Sequence, residues 1–410
     1  MKVAVVGGGL AGLSAALDLV DAGHSVTVLE ARPTLGGAVQ TLPEREGDPE
    51  PPPDNGQHIA LGCFTEYLRF LERVGEGESF LRTRLGLPVI DEEGTAATIE
   101  PSLRALLGYR HLTPRDRLRL PVTTLRLRSA QPQANETFGH LLRRLGETDA
   151  SIDAFWDVFV RPALNLRCDE VDAGAGLFTV RTALLGPRAN SDLILPTQPL
   201  GRMHGDAAGA ALEAAGAIVR TDVRVGSLDE VDGDAIVVAL PPQESARLLG
   251  EPEPQLEDSP IVSVHLWFER QLLEHPLAAL LGSDAHWVFD RGALTGSRPD
   301  HGQYLTVVSS GVPELLEVRG RELVERIAGQ LTERLGEAEL LWSRVSREPY
   351  ATIALRPGVE RPGVETSQPR VARAGSWTDT GWPATMESAI RSGRRAAQHI
   401  LSTESATITA

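Results

Sequence analysis

The reading of this chain turns on residues 2–30, KVAVVGGGLAGLSAALDLVDAGHSVTVLE. Residues 2–6 form a short apolar run that predicts a buried strand. Leu10, Leu13, Leu17 and Val20 then recur at helical spacing, and residues 25–30 read as a second strand. Gly7, Gly9 and Gly12 stand in GxGxxG spacing at the junction of the first strand and the helix. The first glycine permits a tight turn, the second lets backbone approach a pyrophosphate, and the third lets helix pack on strand. The first helical turn, at Leu10 and Ala11, offers free N–H groups and a positive dipole end to phosphates. Glu30, eighteen residues past Gly12, ends the second strand and can accept hydrogen bonds from ribose hydroxyls. A bare glycine-rich turn would need none of these companions. The stretch predicts a dinucleotide-binding strand–helix–strand unit.

Working outward, a polar, proline-rich excursion at 43–54 reads as a solvated loop, residues 65–73 as a helix, and 98–185 as mostly helical. The strand–helix style returns at 206–240, with a small-residue helix and predicted strands at 217–221, 223–228 and 234–242. Longer strands rich in β-branched and aromatic residues are expected at 263–269, 285–290 and 304–310, and here His265, Trp267 and Phe268 read as sheet residues. A helix near 313–335, a loop containing Pro357 and Pro362, a strand near 371–375 and a last helix from about Pro383 to Ile400 complete the pattern. The expected fold class is mixed α/β. A discontinuous Rossmann-like domain (1–80, 186–250 and 345–405) is threaded around a substrate domain of mixed sheet and helices (81–185 and 251–344), with a frayed tail at 406–410.

Length and composition fit this layout. The 410 residues, 41% hydrophobic and 23% charged, belong to a globular chain of two or three domains. A net charge of −16 argues against nucleic acid as a partner. Two cysteines, Cys63 and Cys168, build no disulfide framework, fit a reducing compartment and show no metal-ligand spacing. The N-terminal apolar run is interrupted by glycines, unlike a signal peptide, and no stretch reaches the length of a spanning helix. The expected location is the cytoplasm, with attachment at most to the inner face of the membrane. One segment runs against the average. Residues 101–130 hold seven arginines (104, 110, 115, 117, 119, 126 and 128) and one acid, Asp116, a local net of +6. Leu112, Leu118, Leu120, Leu125 and Leu127 are interleaved with them. The segment reads either as a solvated face pairing with carboxylates or as a contact with an anionic membrane.

GxGxxG alone does not separate FAD from NAD. Residues 29–38, LEARPTLGGA, resemble the flavoprotein signature in which the acid is followed by a turn, here Ala31 and Arg32, and a glycine pair, here Gly36 and Gly37. The Arg that commonly follows the pair is Ala38. Residues 372–393, ARAGSWTDTGWPATMESAIRSG, resemble the C-terminal flavin motif of the amine oxidase and phytoene desaturase superfamily. Pro383 suits a first helical turn, and Met386, Ala389, Ile390 and Gly393 share one helix face. The usual Gly-Asp pair is Gly375-Ser376, with Asp379 as a substitute carboxylate.

Together with DNGQHIALGCF (54–64), RPALNL (161–166), LLGPRANSDLILP (184–196), VHLWFER (264–270) and HWVFDRG (286–292), these motifs resemble the squalene-associated FAD-dependent desaturases, understood as hydroxysqualene dehydroxylases. The resemblance implies FAD, further cofactor contacts from Asn55, Gly56, Val223, Ala384, Thr385 and Met386, and a lipophilic triterpene substrate. It also implies association with upstream squalene-pathway synthases, and reductive loss of the hydroxyl of hydroxysqualene in squalene and hopanoid synthesis. Hydride from the reduced flavin N5 would reach an allylic centre. Asp54 and His58 are the candidate proton donors, and Trp382 a wall able to stabilise an allylic cation. With no second GxGxxG, the flavin is reduced by visiting NAD(P)H or by a separate reductase. The same scaffold also suits a carotenoid desaturase, an amine oxidase, or an isoprenoid carrier without flavin chemistry.

Overall fold

A computed structural model describes the backbone of residues 1–408 and the side chains through Thr403. Five parallel strands form the first sheet, in the order 371–373, 235–238, 2–6, 25–29 and 218–220. Their near-continuous apolar sequence follows from burial on both faces. Val3, Val5, Val26, Val28 and Val237 pack under the first helix, Leu10–Asp21, and the last helix, Met386–Ile408. Val6, Ile236 and Val238 point the other way, onto Leu248 and Leu249 of the Pro242–Leu249 helix.

The second sheet has seven strands, in the order 340–353, 258–268, 303–310, 287–290, 277–280, 87–90 and 96–99. It is antiparallel apart from one parallel pair, 279–280 with 89–90. Strand Asp258–Phe268 alternates in its second half. Val262, Val264, Leu266 and Phe268 form one core with the Gly320–Leu335 helix, while Ser263, His265 and Trp267 face the opposite side. A bundle of helices between 103 and 183 covers that side's outer part. A three-stranded antiparallel sheet (60–61, 193–196 and 80–83) joins the two halves.

Several elements differ from expectation. Leu340–Ile353, the longest strand, is not among the expected elements and runs across the boundary expected at 345. It is an edge strand with charged residues along it, so its alternation is masked. Residues 223–227 form no strand, because Val223 turns back to donate its N–H to the Glu30 carbonyl at 2.9 Å. The excursion at 43–54 is exposed only in part. Arg344 of the edge strand is in a buried ion pair with Asp48 and donates to the Pro43 carbonyl at 2.8 Å, pinning the loop down. The last helix begins at Met386 rather than Pro383, with Thr385 as its cap accepting the Ser388 N–H at 3.4 Å. It continues to Ile408, into the expected tail at 406–410, whose last two positions lie outside the described residues.

Candidate active site

The glycine loop is built as its spacing requires. Gly7 has φ +108°, and a Cβ there would sit 2.2 Å from the Ala239 carbonyl oxygen. At Gly12 a Cβ would lie 1.9 Å from the Gly7 oxygen, so the helix reaches the strand only without one. Gly36 donates its N–H to the Gly8 oxygen at 2.8 Å, and a Cβ on Gly37 would meet the Gly9 Cα at 2.8 Å. The two glycine-rich turns are zipped together. Gly9 differs from its neighbours: the nearest atom to a Cβ there is the Gly37 Cα at 3.6 Å. As N-cap of the first helix, Gly9 has no side chain to cap it, so open space and free N–H groups coincide at Gly9, Leu10 and Ala11. These residues fit a dinucleotide pyrophosphate.

Glu30 is buried at the end of the second strand, where its carboxylate accepts N–H bonds from Gly8 at 2.6 Å and Arg32 at 2.8 Å. Each oxygen keeps a lone pair for a ribose hydroxyl. Ala31 and Arg32 follow in an exposed turn, with Arg32 Nη1 donating to the Gly37 oxygen at 3.3 Å. The Ala38 carbonyl accepts from Asn55 Nδ2 at 2.8 Å, and the Asn55 N–H donates to the Gln40 oxygen at 2.9 Å. Asn55 thus ties the glycine-pair loop to the DNGQH loop beside Gly56.

The C-terminal motif wraps the edge of the parallel sheet. Gly375 donates its N–H to Ser392 Oγ at 2.9 Å, and the Trp377 Nε1 donates to the Leu240 oxygen at 3.0 Å. Ser376 is half-buried, its carbonyl accepting from Ser388 Oγ at 3.0 Å. Asp379 is exposed, with its carboxylate 3.5 Å from Arg361 and accepting the Gly381 N–H at 3.1 Å. None of these contacts turns it towards the Gly375–Ser376 pair as the substitute carboxylate expected there. Pro383, Ala384 and Thr385 lead into the helix, and Thr352 holds the Ala384 carbonyl at 3.0 Å.

Asp54 does not stand free. Thr41 Oγ1 and the Leu200 N–H donate to one oxygen at 2.7 and 2.9 Å, and Arg291 Nη2 to the other at 2.9 Å. The Asp54 and Arg291 side chains are each 1% exposed, and Arg291 Nη1 also holds Gln57 Oε1 at 2.8 Å. Burial pushes the Asp54 pKa up while Arg291 and the neighbouring donors pull against it. Against this bracket stands the polar side of the seven-stranded sheet. His265 Nδ1 lies 3.0 Å from Thr306 Oγ1 and 3.5 Å from the Tyr304 hydroxyl, and a Cβ on Gly56 would come within 3.1 Å of Ser263 Oγ. Arg291 Nε, Gln57 Nε2, Ser263 Oγ and His265 Nε2 are all buried without a protein partner. Such atoms are rare and costly in a folded interior unless a ligand or water meets them.

His58 keeps part of its surface open, yet the protein around it lowers its pKa to about 4 by desolvation. It is a neutral imidazole at pH 7. Trp382 packs edge-on to Phe64 at 6.0 Å and Phe178 at 5.1 Å, and the Arg391 guanidinium lies over its ring at 4.7 Å. One π face is therefore taken by a cation of the protein itself. Arg291 and Gln57, central to this cluster, were not singled out by sequence reasoning. Both lie inside motifs that were, HWVFDRG and DNGQH, but a buried arginine carries no periodic signal.

A parallel sheet carrying a pyrophosphate cradle and a terminal acid, joined to a second sheet across a buried polar loop, fits a dinucleotide-dependent oxidoreductase. The chain belongs to the flavin containing amine oxidoreductase family, whose profile matches residues 10–187 and 200–401. Its cofactor is FAD. A hydroxysqualene dehydroxylase from Sinorhizobium fredii is 29% identical over 427 aligned residues, which cover 98% of each chain. A zeta-carotene desaturase from Arabidopsis thaliana is 25% identical, over 98% of this chain and 85% of that one. The crystal structure of an oxidoreductase from Methanosarcina mazei superposes with a TM-score of 0.75 at 18% identity, covering 97% of this chain and 100% of the other, which speaks to fold alone.

Proposed function

We propose that this protein removes the hydroxyl of hydroxysqualene, or of a closely related isoprenoid alcohol, and replaces it with hydrogen. The observation that carries the reading is the cluster of buried, unpartnered polar atoms on Gln57, Arg291, Ser263 and His265, on the polar side of the seven-stranded sheet. A hydrocarbon substrate with a single hydroxyl needs one polar spot and hydrophobic walls elsewhere. Similarity to hydroxysqualene dehydroxylases along nearly the whole chain supports the same assignment.

In the balanced reaction the allylic C–O bond breaks, a hydride and a proton are taken up, and water leaves. Reduced flavin supplies the hydride. The chain's own residues hold the alcohol and stabilise the leaving oxygen. Arg291 Nε and Gln57 Nε2 are donors suited to that oxygen. His58, being neutral, donates a hydrogen bond without bringing an extra proton. Asp54, with both oxygens engaged, acts as a positioning residue that fixes Arg291 and the loop. Trp382 walls the site, with Arg391 on one face.

The test is anaerobic. Purified yellow protein is photoreduced and mixed with hydroxysqualene. The reading requires squalene to form as flavin absorbance returns; absence of both sinks it. Similarity to the zeta-carotene desaturases favours a second reading, desaturation, in which a polyene instead bleaches the oxidised flavin. A carrier would be colourless as purified.

A further inference from the structure

We propose that the helix pair Leu103–Gly108 and Pro114–Leu127 docks this enzyme on an anionic lipid bilayer. The fold divides the leucines of this segment by face. Leu112, Leu120 and Leu127 are buried in the helical-bundle core, whereas Leu118 and Leu125 are 66% and 67% exposed. Val122 stands between the last two, so 118, 122 and 125 form an outward stripe at helical spacing, and exposed Leu103 and Leu107 continue it on the neighbouring helix. Of the nine large hydrophobic side chains exposed among the described residues, five belong to this helix pair. Isolated exposed apolar residues are ordinary, but a concentration of this kind marks a contact surface.

The arginines divide as well. Arg117 donates to the Leu112 carbonyl, Arg119 pairs with buried Asp116, and Arg126 holds the Leu145 carbonyl. Those three maintain the fold. Arg104, Arg110, Arg115 and Arg128 are exposed, and no side-chain bond ties them to another described residue. Asp116, the only acid of the segment, is consumed internally by Thr113, Thr148 and Arg119. The outward surface is thus cationic and leucine-rich on a chain of net charge −16.

Charge complementarity and apolar exposure together select the occupant. An acidic protein or a polyanion would satisfy the arginines and leave the leucine stripe wet. An anionic bilayer takes arginines at its headgroups and leucines at the acyl boundary. Among the described residues no helix is long and apolar enough to cross a membrane, so the contact is a surface one. The face is also linked to the active site through one intervening helix. Arg181 donates to the Leu127 carbonyl at 2.8 Å and to that of Ala130, and Phe178, one turn back on the same helix, packs on Trp382. The surface that meets lipid is one helix away from the wall of the flavin site.

The experiment is co-sedimentation of the FAD-loaded protein with phosphatidylcholine vesicles, with and without phosphatidylglycerol. The protein should pellet with anionic vesicles only, and added salt should release it. Arg104→Glu/Arg115→Glu/Arg128→Glu and, separately, Leu118→Ser/Leu125→Ser should each lower vesicle affinity by about tenfold or more. Tyr350→Ser, at an exposed position of the seven-stranded sheet, should leave it unchanged. Flavin absorbance and thermal melting confirm that each variant is folded. The proposal is overturned if wild-type protein ignores anionic vesicles, if both sets of variants pellet like wild type, or if the leucine changes merely abolish self-association of copies that bind no lipid. Vesicle binding requires no turnover, so a protein that binds lipid but spares hydroxysqualene retains this inference and loses the proposed reaction.

Discussion

At the scale of single residues, the site is organised by a buried ion pair. Asp54 and Arg291 are 237 positions apart in sequence, and removing one partner leaves the other's charge in a dry interior. Loss of one half of such a pair costs about 3–5 kcal/mol. Arg291→Met is therefore expected to lower the melting temperature sharply and reduce retained flavin. Asp54→Asn/Arg291→Met, which deletes both charges, should recover much of the stability but not the turnover. A double variant as unstable as the worse single one would show that the pair does not act as a unit. His58 makes a second prediction. A neutral imidazole with a pKa of about 4 gives the pH profile of kcat no inflection near 6.5. The wild-type profile should show instead an acid limb near 4 that His58→Gln removes, and a limb at 6.5 abolished by the same substitution would contradict the environment described for this ring.

At the scale of elements, the strand–turn–helix at the start separates two functions of glycine. A Cβ at Gly12 collides with the Gly7 carbonyl, so Gly12→Ala should fail to give folded protein. A Cβ at Gly9 has room in the fold but fills the space left for pyrophosphate, so Gly9→Ala should fold and purify colourless. Circular dichroism and flavin absorbance separate the cases; yellow Gly9→Ala would refute the assignment of the cradle. Gly393 has a similar role at the other end, since a Cβ there would lie 2.1 Å from the Ala11 oxygen where the last helix crosses the first. These glycines were legible because their constraint is local: spacing, strand and helix lie within thirty residues. Strand Leu340–Ile353 was not, because an edge strand pairs on one side only and carries Arg344, Arg347 and Glu348 where a central strand would be apolar. The polar cluster was half legible. DNGQH identified Asp54 and His58, but the Arg291 that engages Asp54 arrives from a strand-to-helix junction on the far sheet, and no local pattern encodes that meeting.

At the scale of the whole molecule, buried histidines set the response to acid. His204 and His58 are held to pKa values of about 4, and His265 and His286 to about 3, in each case chiefly by desolvation. The hydrogen bonds agree. His204 lies between the Leu200 carbonyl at 2.8 Å and the Tyr67 hydroxyl at 2.8 Å, and His286 Nδ1 accepts the Ser310 N–H at 3.0 Å. A proton on His286 Nδ1 would break the bond it accepts from Ser310. The unfolded chain takes up these protons near pH 6.5, whereas the folded protein resists until about pH 4 or 3, so stability is full above 6.5 and falls as pH drops. Each histidine contributes about 1 kcal/mol per pH unit within that window, which would steepen the loss to a few kcal/mol per unit. Asp54, Asp157 and Glu387, raised by burial, act in the opposite sense and soften the lower end of the curve. Calorimetric melting of the flavin-loaded protein from pH 8 to 4.5 should show a plateau and then a decline beginning near 6.5. His286→Asn, which keeps an acceptor but cannot titrate, should make that decline shallower. A melting temperature unchanged between pH 7 and 5 would mean that the histidines share their interior with enough water to charge freely, and the dry polar cluster on which the active site rests would have to be redrawn.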